Sequence, residues 1–287
     1  MKYVQTKTIG GTAVSSILGL NPWSGPWDAW DRIVNGTTIE PNEAMERGTR
    51  LEGPIAEVAQ GVLGIDLVEP AETTTIIDGV FSASADRFGY VDGKRRSIIE
   101  IKTASSYAKI DPVPNHYWLQ LQHYLWAFNI DRGVLVALQA FPEVFRMLDT
   151  ADDVDFALTR KAANLVIYEI ERDPRYGEHT IPKLRDWFQR HIVGGEAPDV
   201  DGSKACRVGL FGLHEERTAE SEAEPELDAL LTLRQAVKDT EAKQKEQRDT
   251  IENQIRAKMA HRRKVLGSGY SCTLSRNNRL TFKEVAN

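Results

Sequence analysis

Apolar residues recur at helical spacing in three stretches near the start of the chain. Residues Gly11 to Leu18 read as a short helix, with Thr12 where its hydroxyl could cap a free backbone N–H. Pro26 opens a second helix that Asn35-Gly36 closes. A third is predicted from about Asn42 to Leu63, with Leu51, Ile55, Val58, Ala59 and Val62 on one face and Pro54 expected to kink or restart it. The period then shortens to two. Thr73–Ile77, Val80–Ala85 and Ser97–Thr103 read as strands, with Asp92-Gly93 as a tight turn between the last two. A helix over Trp118–Phe128, strands near Gly133–Phe141 and Asn164–Glu171, and a helix from about Pro174 to Val193 complete the pattern. Helices interleaved with strands make the expected class α/β, a central mixed sheet flanked by helices.

The pattern changes after Gly212. Residues 1–212 are expected to form one domain, 213–226 an acidic linker, and 227–287 a helical segment with a short β-hairpin. The stretch Lys238–Thr250 has no apolar seam, so a solvated helix is expected there in preference to a coiled coil. Seven acids and one base between residues 215 and 228 account for the whole formal charge of −6, and the remainder balances. The acidity therefore belongs to the linker and is no objection to a polyanionic substrate. Cys206 and Cys272 are too few for a disulfide scaffold or a four-thiolate cluster. No signal-peptide core or membrane-length apolar run is present, so a soluble protein of the cytoplasm, in a bacterium or a phage-infected host cell, is expected.

Chemistry concentrates between Phe81 and Thr103. Alternation along the last strand puts Glu100 and Lys102 on one face and Ile99 and Ile101 on the other. Unpaired buried charge is costly, so a carboxylate and an ammonium on an otherwise apolar strand need partners or a ligand. Asp86 falls beside Glu100 if the two strands pair across the Asp92-Gly93 turn. Carboxylate oxygens so grouped suit a hard divalent cation, with a lysine beside a metal-bound water. The plainer alternative is a structural ion pair and a turn aspartate. No zinc-type His pair, P-loop or serine-hydrolase elbow competes.

Asp86 followed by Glu100-Ile101-Lys102 resembles the D…(D/E)-x-K signature of restriction-endonuclease-like nucleases. Gly48-Thr49-Arg50-Leu51-Glu52 resembles a G-x-x-x-E element, and Tyr117 to Tyr124 (YWLQLQHY) a Y-x-x-Q-x-Q-x-Y element. Together, in this order over about residues 7–205, they resemble the YqaJ-type viral recombinase family, which includes the lambda-type phage exonuclease.

That resemblance implies a restriction-endonuclease-like core and a metal-dependent deoxyribonuclease. The implied activity is 5′-to-3′ digestion of linear double-stranded DNA from its ends, leaving 3′ single strands for a partner single-strand annealing protein in homologous recombination. It implies one or two Mg2+ ions, with Mn2+ as substitute, held by Glu52, Asp86, Glu100 and the backbone carbonyl of Ile101, with Lys102 and Gln120 as catalytic groups. A homo-oligomeric ring, a trimer in lambda-type relatives, is implied as well. DNA contacts are expected from Lys7, Thr12, Arg50, Tyr117 and Tyr124, with Arg47 and Arg87 as further phosphate candidates. For the two tyrosines a half-buried core position is the alternative, and for Thr12 the helix cap. Lys94-Arg95-Arg96 is expected to be an exposed turn, and Trp23, Trp27 and Trp30 core, with stacking on a strand end as the other possibility. A nicking or structure-specific endonuclease and a non-catalytic DNA-binding or recombinase-tethering module remain as alternatives.

Overall fold

The computed structural model describes residues 7–38, 41–72, 74–202, 206–207, 210 and 223–284. Two compact units result, Met1–Glu216 and Arg217–Asn287. Most of the predicted acidic linker lies outside the described residues.

The first unit is built on a five-stranded mixed sheet. Its strands, in spatial order, are β2 (Asp66–Val68), β5 (Arg87–Val91), β6 (Lys94–Ser105), β7 (Arg132–Ala140) and β8 (Ala163–Glu171). β6 and β7 run parallel and the other neighbours antiparallel. A parallel pair requires a crossover, which helix α4 (Asn115–Phe128) supplies. Helix α3 (Glu43–Leu63) packs Leu51, Ile55 and Ala59 with Ile99 and Ile101 of β6, joined by Val154 and Ala157 of α6 (Ala151–Thr159). On the opposite face, Leu121, Tyr124 and Leu125 of α4 pack with Ile98 of β6 and Leu135 of β7. The central mixed sheet flanked by helices is thus as expected.

A smaller sheet joins β1 (Ile9–Gly10), β4 (Phe81–Ala83) and β3 (Thr75–Ile77). Around it pack α1 (Gly11–Ile17), α2 (Pro26–Asn35) and α7 (Ile181–Phe188). α5 (Pro142–Phe145) is a single turn between β7 and α6.

Several expectations change. The strand at Val80–Ala85 is β4 and belongs to the small sheet, so it does not precede the Asp92-Gly93 turn. The strand that does is β5, joined to β6 through Asp92 and Gly93 at φ 51° and 68°, the mirror-turn geometry that favours an Asp-Gly pair. Asp86 therefore introduces β5; it does not end β4. Pro54 leaves α3 continuous, because buried Leu51, Ile55 and Ala56 hold the turns on both sides of the missing N–H. Thr12 caps nothing, since the N-cap of α1 is Gly10 and no side chain bonds there. Two of the tryptophans meet expectation, with Trp27 buried and Trp30 half-buried against it, but Trp23 is 69% exposed in the loop before α2. The segment Pro174–Val193 is helical in three pieces, with wider π-type turns at Tyr176–Thr180 and Gln189–Val193 on either side of α7.

The second unit begins with one continuous helix, α8 (Pro225–Met259), exposed along nearly its whole length as the missing seam requires. A three-stranded meander follows, of β9 (Lys264–Leu266), β10 (Tyr270–Leu274) and β11 (Leu280–Glu284), one strand more than a hairpin. Among the described residues no helix is long and apolar enough to cross a membrane.

Candidate active site

Glu100 sits mid-strand on β6 with none of its surface exposed. Its Oε1 accepts a hydrogen bond from Gln120 Nε2 at 2.6 Å and a second from Lys102 Nζ. Its Oε2 is buried and has no hydrogen-bond partner among the described residues. Strand alternation explains the first two contacts: Ile98, Glu100 and Lys102 face α4, while Ile99 and Ile101 face α3. On α4, Gln120 and Tyr124 are one turn apart, and Gln120 Nε2 also donates to the Tyr124 hydroxyl at 3.1 Å.

Asp86 approaches the same strand from its edge. Pairing between β5 and β6 ends at Arg87 opposite Ile99, so the next N–H along β6 on that side lacks a ladder partner. Asp86 Oδ2 takes it, accepting from Ile101 N at 2.7 Å. A strand residue's N–H and C=O leave the backbone on the same side, so the Ile101 carbonyl also points to the edge Asp86 occupies. Glu52 comes from the middle of α3 and is held by Arg87 Nη1 at 2.7 Å; Arg87 Nη2 reaches Glu69 at 2.9 Å.

Glu52, Asp86, Ile101, Lys102, Tyr117 and Gln120 line one cleft of about 440 Å³. The electrostatics are those of a crowded carboxylate site. Burial pushes the Glu100 carboxyl up to about 8, Lys102 opposes the shift, and the charges of Asp86 and Glu52 add to it. Burial alone would depress the Lys102 ammonium, but the charges of Glu100 and Asp86 carry it above its ordinary range. Its side chain keeps 22% exposure, enough to present the ammonium to the cleft.

The other expected contacts divide. Thr12 and Tyr117 line the cleft, and Lys102 Nζ lies 5.8 Å from the Tyr117 ring centre. Tyr124 is buried, its ring facing Gly11, where a Cβ would stand 2.5 Å from Tyr124 Cε1. It serves as internal support for Gln120, and no surface of it is available to DNA. Arg50 is turned away: it donates to the carbonyls of Leu148 and Phe145 and pairs with Asp149 at 3.2 Å. Arg47 donates to Thr103 Oγ1 at 3.2 Å and lies over the Phe145 ring. Arg87 is buried and spent on Glu52 and Glu69, so it positions a carboxylate in place of contacting a phosphate. Lys7 is exposed just before β1 and does not line the cleft.

Sequence reasoning passed over His116. It lines the cleft beside Tyr117 and against Trp23, its buried Nε2 has no hydrogen-bond partner among the described residues, and burial and then Lys102 lower its basicity. Its place in the first turn of α4, directly before the tyrosine motif, was the available signal.

The donor set suits a hard cation. It offers carboxylate oxygens, a backbone carbonyl aimed at the same edge, and a buried carboxylate oxygen with no other partner. Among the described residues no three acidic, His or Cys side chains are already gathered as a ligand cluster. Here Glu52 is drawn to Arg87 and Glu100 to Lys102 and Gln120.

Residues 2–130 match the model of the YqaJ-like viral recombinase domain, which bears out the family read from the motifs. The uncharacterised protein YqaJ of Bacillus subtilis (strain 168) is 28% identical over 271 residues, 88% of this chain and 75% of that one. Among solved structures, the alkaline exonuclease LHK-Exo of Laribacter hongkongensis superposes with a TM-score of 0.49 at 18% identity, over 66% of this chain and 90% of that one. A phage-related exonuclease from Haemophilus somnus 129PT gives a TM-score of 0.46 at 16% identity, over 66% and 96% respectively.

Proposed function

With residues 2–130 a YqaJ-like viral recombinase domain, we propose that this protein is a metal-dependent deoxyribonuclease that digests linear double-stranded DNA. The direction is 5′ to 3′, and the 3′ single strand left behind is the product used in phage-type recombination. The observation that carries the reading is the edge of β6 past Ile99. There Asp86, the Ile101 carbonyl, Lys102 and Glu52 line one cleft, with the unpartnered Glu100 oxygen buried behind them.

Glu52, Asp86, Glu100 and the Ile101 carbonyl would hold one or two Mg2+ ions, with Mn2+ as substitute. When bound, such an ion polarises a phosphate oxygen and lowers the pKa of water. The protein's own groups account for the rest. Gln120, steadied by Tyr124, fixes the Glu100 carboxylate through its Nε2. Lys102 brings a permanent positive charge to a cleft that must accept a phosphodiester, and offsets charge that grows on it during attack. Arg87 fixes the Glu52 side chain on the cleft wall.

A single-strand annealing protein as partner and a trimeric ring belong to this reading through the family alone. The experiment is digestion of linear duplexes carrying 5′-phosphate or 5′-hydroxyl ends, with Mg2+ or with chelator, beside a covalently closed plasmid. Metal-dependent loss of the linear duplex, with the 5′-labelled strand shortened first, supports the reading. Efficient loss of the closed plasmid would replace it with an endonuclease.

A further inference from the structure

The C-terminal unit carries a charge pattern that the cleft does not explain. From Asn253 to Lys283 the sequence holds eight Lys or Arg and no Asp or Glu. The fold gathers most of these charges at one end of the meander. Thr273 of β10 stands opposite Lys264 of β9, and Leu274 N donates to the Arg263 carbonyl at 2.9 Å. Residues 262–264 therefore lie at the end of the sheet where the β10–β11 turn carries Arg276 and Arg279. The last turn of α8 reaches the same place, with Arg256 Nε donating to the Asn278 carbonyl at 3.4 Å.

Arg262, Arg263, Lys264, Arg276 and Arg279 are exposed, and among the described residues none of them forms an ion pair. The sheet extends the pattern. Cys272 faces the helix, its Sγ 3.9 Å from Met259 Sδ, so alternation puts Thr273, Thr281, Lys264 and Lys283 on the opposite face, where Ser271 is buried and the other four keep exposed surface. Hydroxyls thus stand beside ammonium groups on one side of the meander.

A merely solvated surface mixes its signs, and α8 does so: between Lys243 and Glu252 it alternates bases with Glu246 and Asp249. The meander places its one acid, Glu284, opposite Tyr270 at the far end of the β10–β11 ladder, and the end at the β10–β11 turn holds one sign only, at a cost in mutual repulsion that a polyanion relieves. Guanidinium groups, ammonium groups and hydroxyls together are the donors that meet phosphate and sugar oxygens in nucleic-acid complexes. We propose that this end of the C-terminal unit is a second, sequence-independent DNA-binding surface that grips the phosphate backbone. The choice of DNA over an acidic protein rests on the nuclease reading above.

The test uses the full chain in chelator, so that binding is measured without cleavage, with a fluorescent duplex of about 30 base pairs, long enough to cover several phosphate contacts. Arg263→Ala/Arg276→Ala/Arg279→Ala should weaken binding by roughly 10–100-fold near 0.1 M salt and flatten the log K against log salt slope by about 2–3. The melting temperature should stay unchanged, and the triple Lys variant should restore the slope. In Mg2+, KM for the duplex should rise with kcat unaltered. Affinity within about twofold of wild type in the triple Ala variant would overturn the proposal, on a scale where each lost phosphate contact moves the salt slope by about one. So would poly-glutamate binding equal to that of DNA and equally dependent on the three arginines. A protein that binds DNA through these arginines yet never cleaves would sink the nuclease reading alone. One that cleaves while ignoring the arginines would sink this proposal alone.

Discussion

Gln120 Nε2 donates to Glu100 Oε1 at 2.6 Å between two buried side chains, one on α4 and one on β6. The bond ties the crossover helix to the charged position of the central strand and leaves Glu100 Oε2 without a donor among the described residues. Glutamine at 120 is therefore a positioning residue. Gln120→Leu should lower metal affinity and kcat by roughly 10–100-fold, the usual loss when an outer partner of a ligand is removed. Isothermal titration with Mn2+ and initial rates on a linear duplex check both, and wild-type values in either would contradict the role.

Glu100 also makes stability fall as pH rises. Its carboxyl titrates near 8 in the fold against an ordinary 4.5, so between those values the native state holds a proton that the unfolded chain has released. The unfolded state then binds fewer protons, and unfolding free energy declines with pH by up to about 1.4 kcal/mol per unit in that window. Urea titrations in chelator from pH 6.5 to 8 should display the decline in wild type and lose it in Glu100→Gln. Saturating Mg2+ should flatten it too, because a bound cation favours the ionised carboxylate. A wild-type slope retained by Glu100→Gln would refute the assignment.

His123 acts with the opposite sign. Its Nε2 lies 3.0 Å from the Ser82 carbonyl, which can only accept, so Nε2 carries the proton and Nδ1 accepts from the Tyr176 hydroxyl at 3.0 Å. Burial lowers its pKa to about 4, the Ser82 contact opposing, so below its ordinary 6.5 the unfolded chain binds the extra proton and stability drops as pH falls. Over pH 5 to 6.5 the two residues oppose each other. His123→Gln should make the pH slope of stability there more negative than wild type by about 1.4 kcal/mol per unit. An identical slope in both proteins would contradict the buried neutral tautomer.

Gly11 lets α1 approach the Tyr124 ring, and a Cβ there would stand 2.5 Å from Cε1 and 2.9 Å from Cζ. Gly11→Ala should cost about 1–3 kcal/mol through overpacking and reduce kcat by loosening the Tyr124 support of Gln120. Urea melts and initial rates measure the two effects, and full stability with full rate would contradict the close approach.

Glu100 and Lys102 were legible because two charges at period two interrupt an apolar strand, which burial tolerates only with partners. Gln120, Tyr117 and Tyr124 were legible from the motif that resembles the family's, and their spacing put them on one helical face. β5 was not, because its strand signal is broken by Arg87 at its start and Gly89 in its middle, where the ladder slips by a bulge. Arg87 was read as a phosphate contact because its two carboxylate partners, Glu52 and Glu69, come from distant segments. Arg50 was misread for the same reason: its acceptors are backbone carbonyls near residue 148, which no side-chain pattern announces.

Asp86 is the carboxylate that the unpaired edge of β6 holds in place, and its removal is the most direct test of the central claim. Digestion of a linear duplex in Mg2+ by wild type and Asp86→Ala, each checked by its melting temperature, should give rapid loss of duplex with the first and a rate at least about a hundredfold lower with the second. Equal digestion by both proteins would contradict the account.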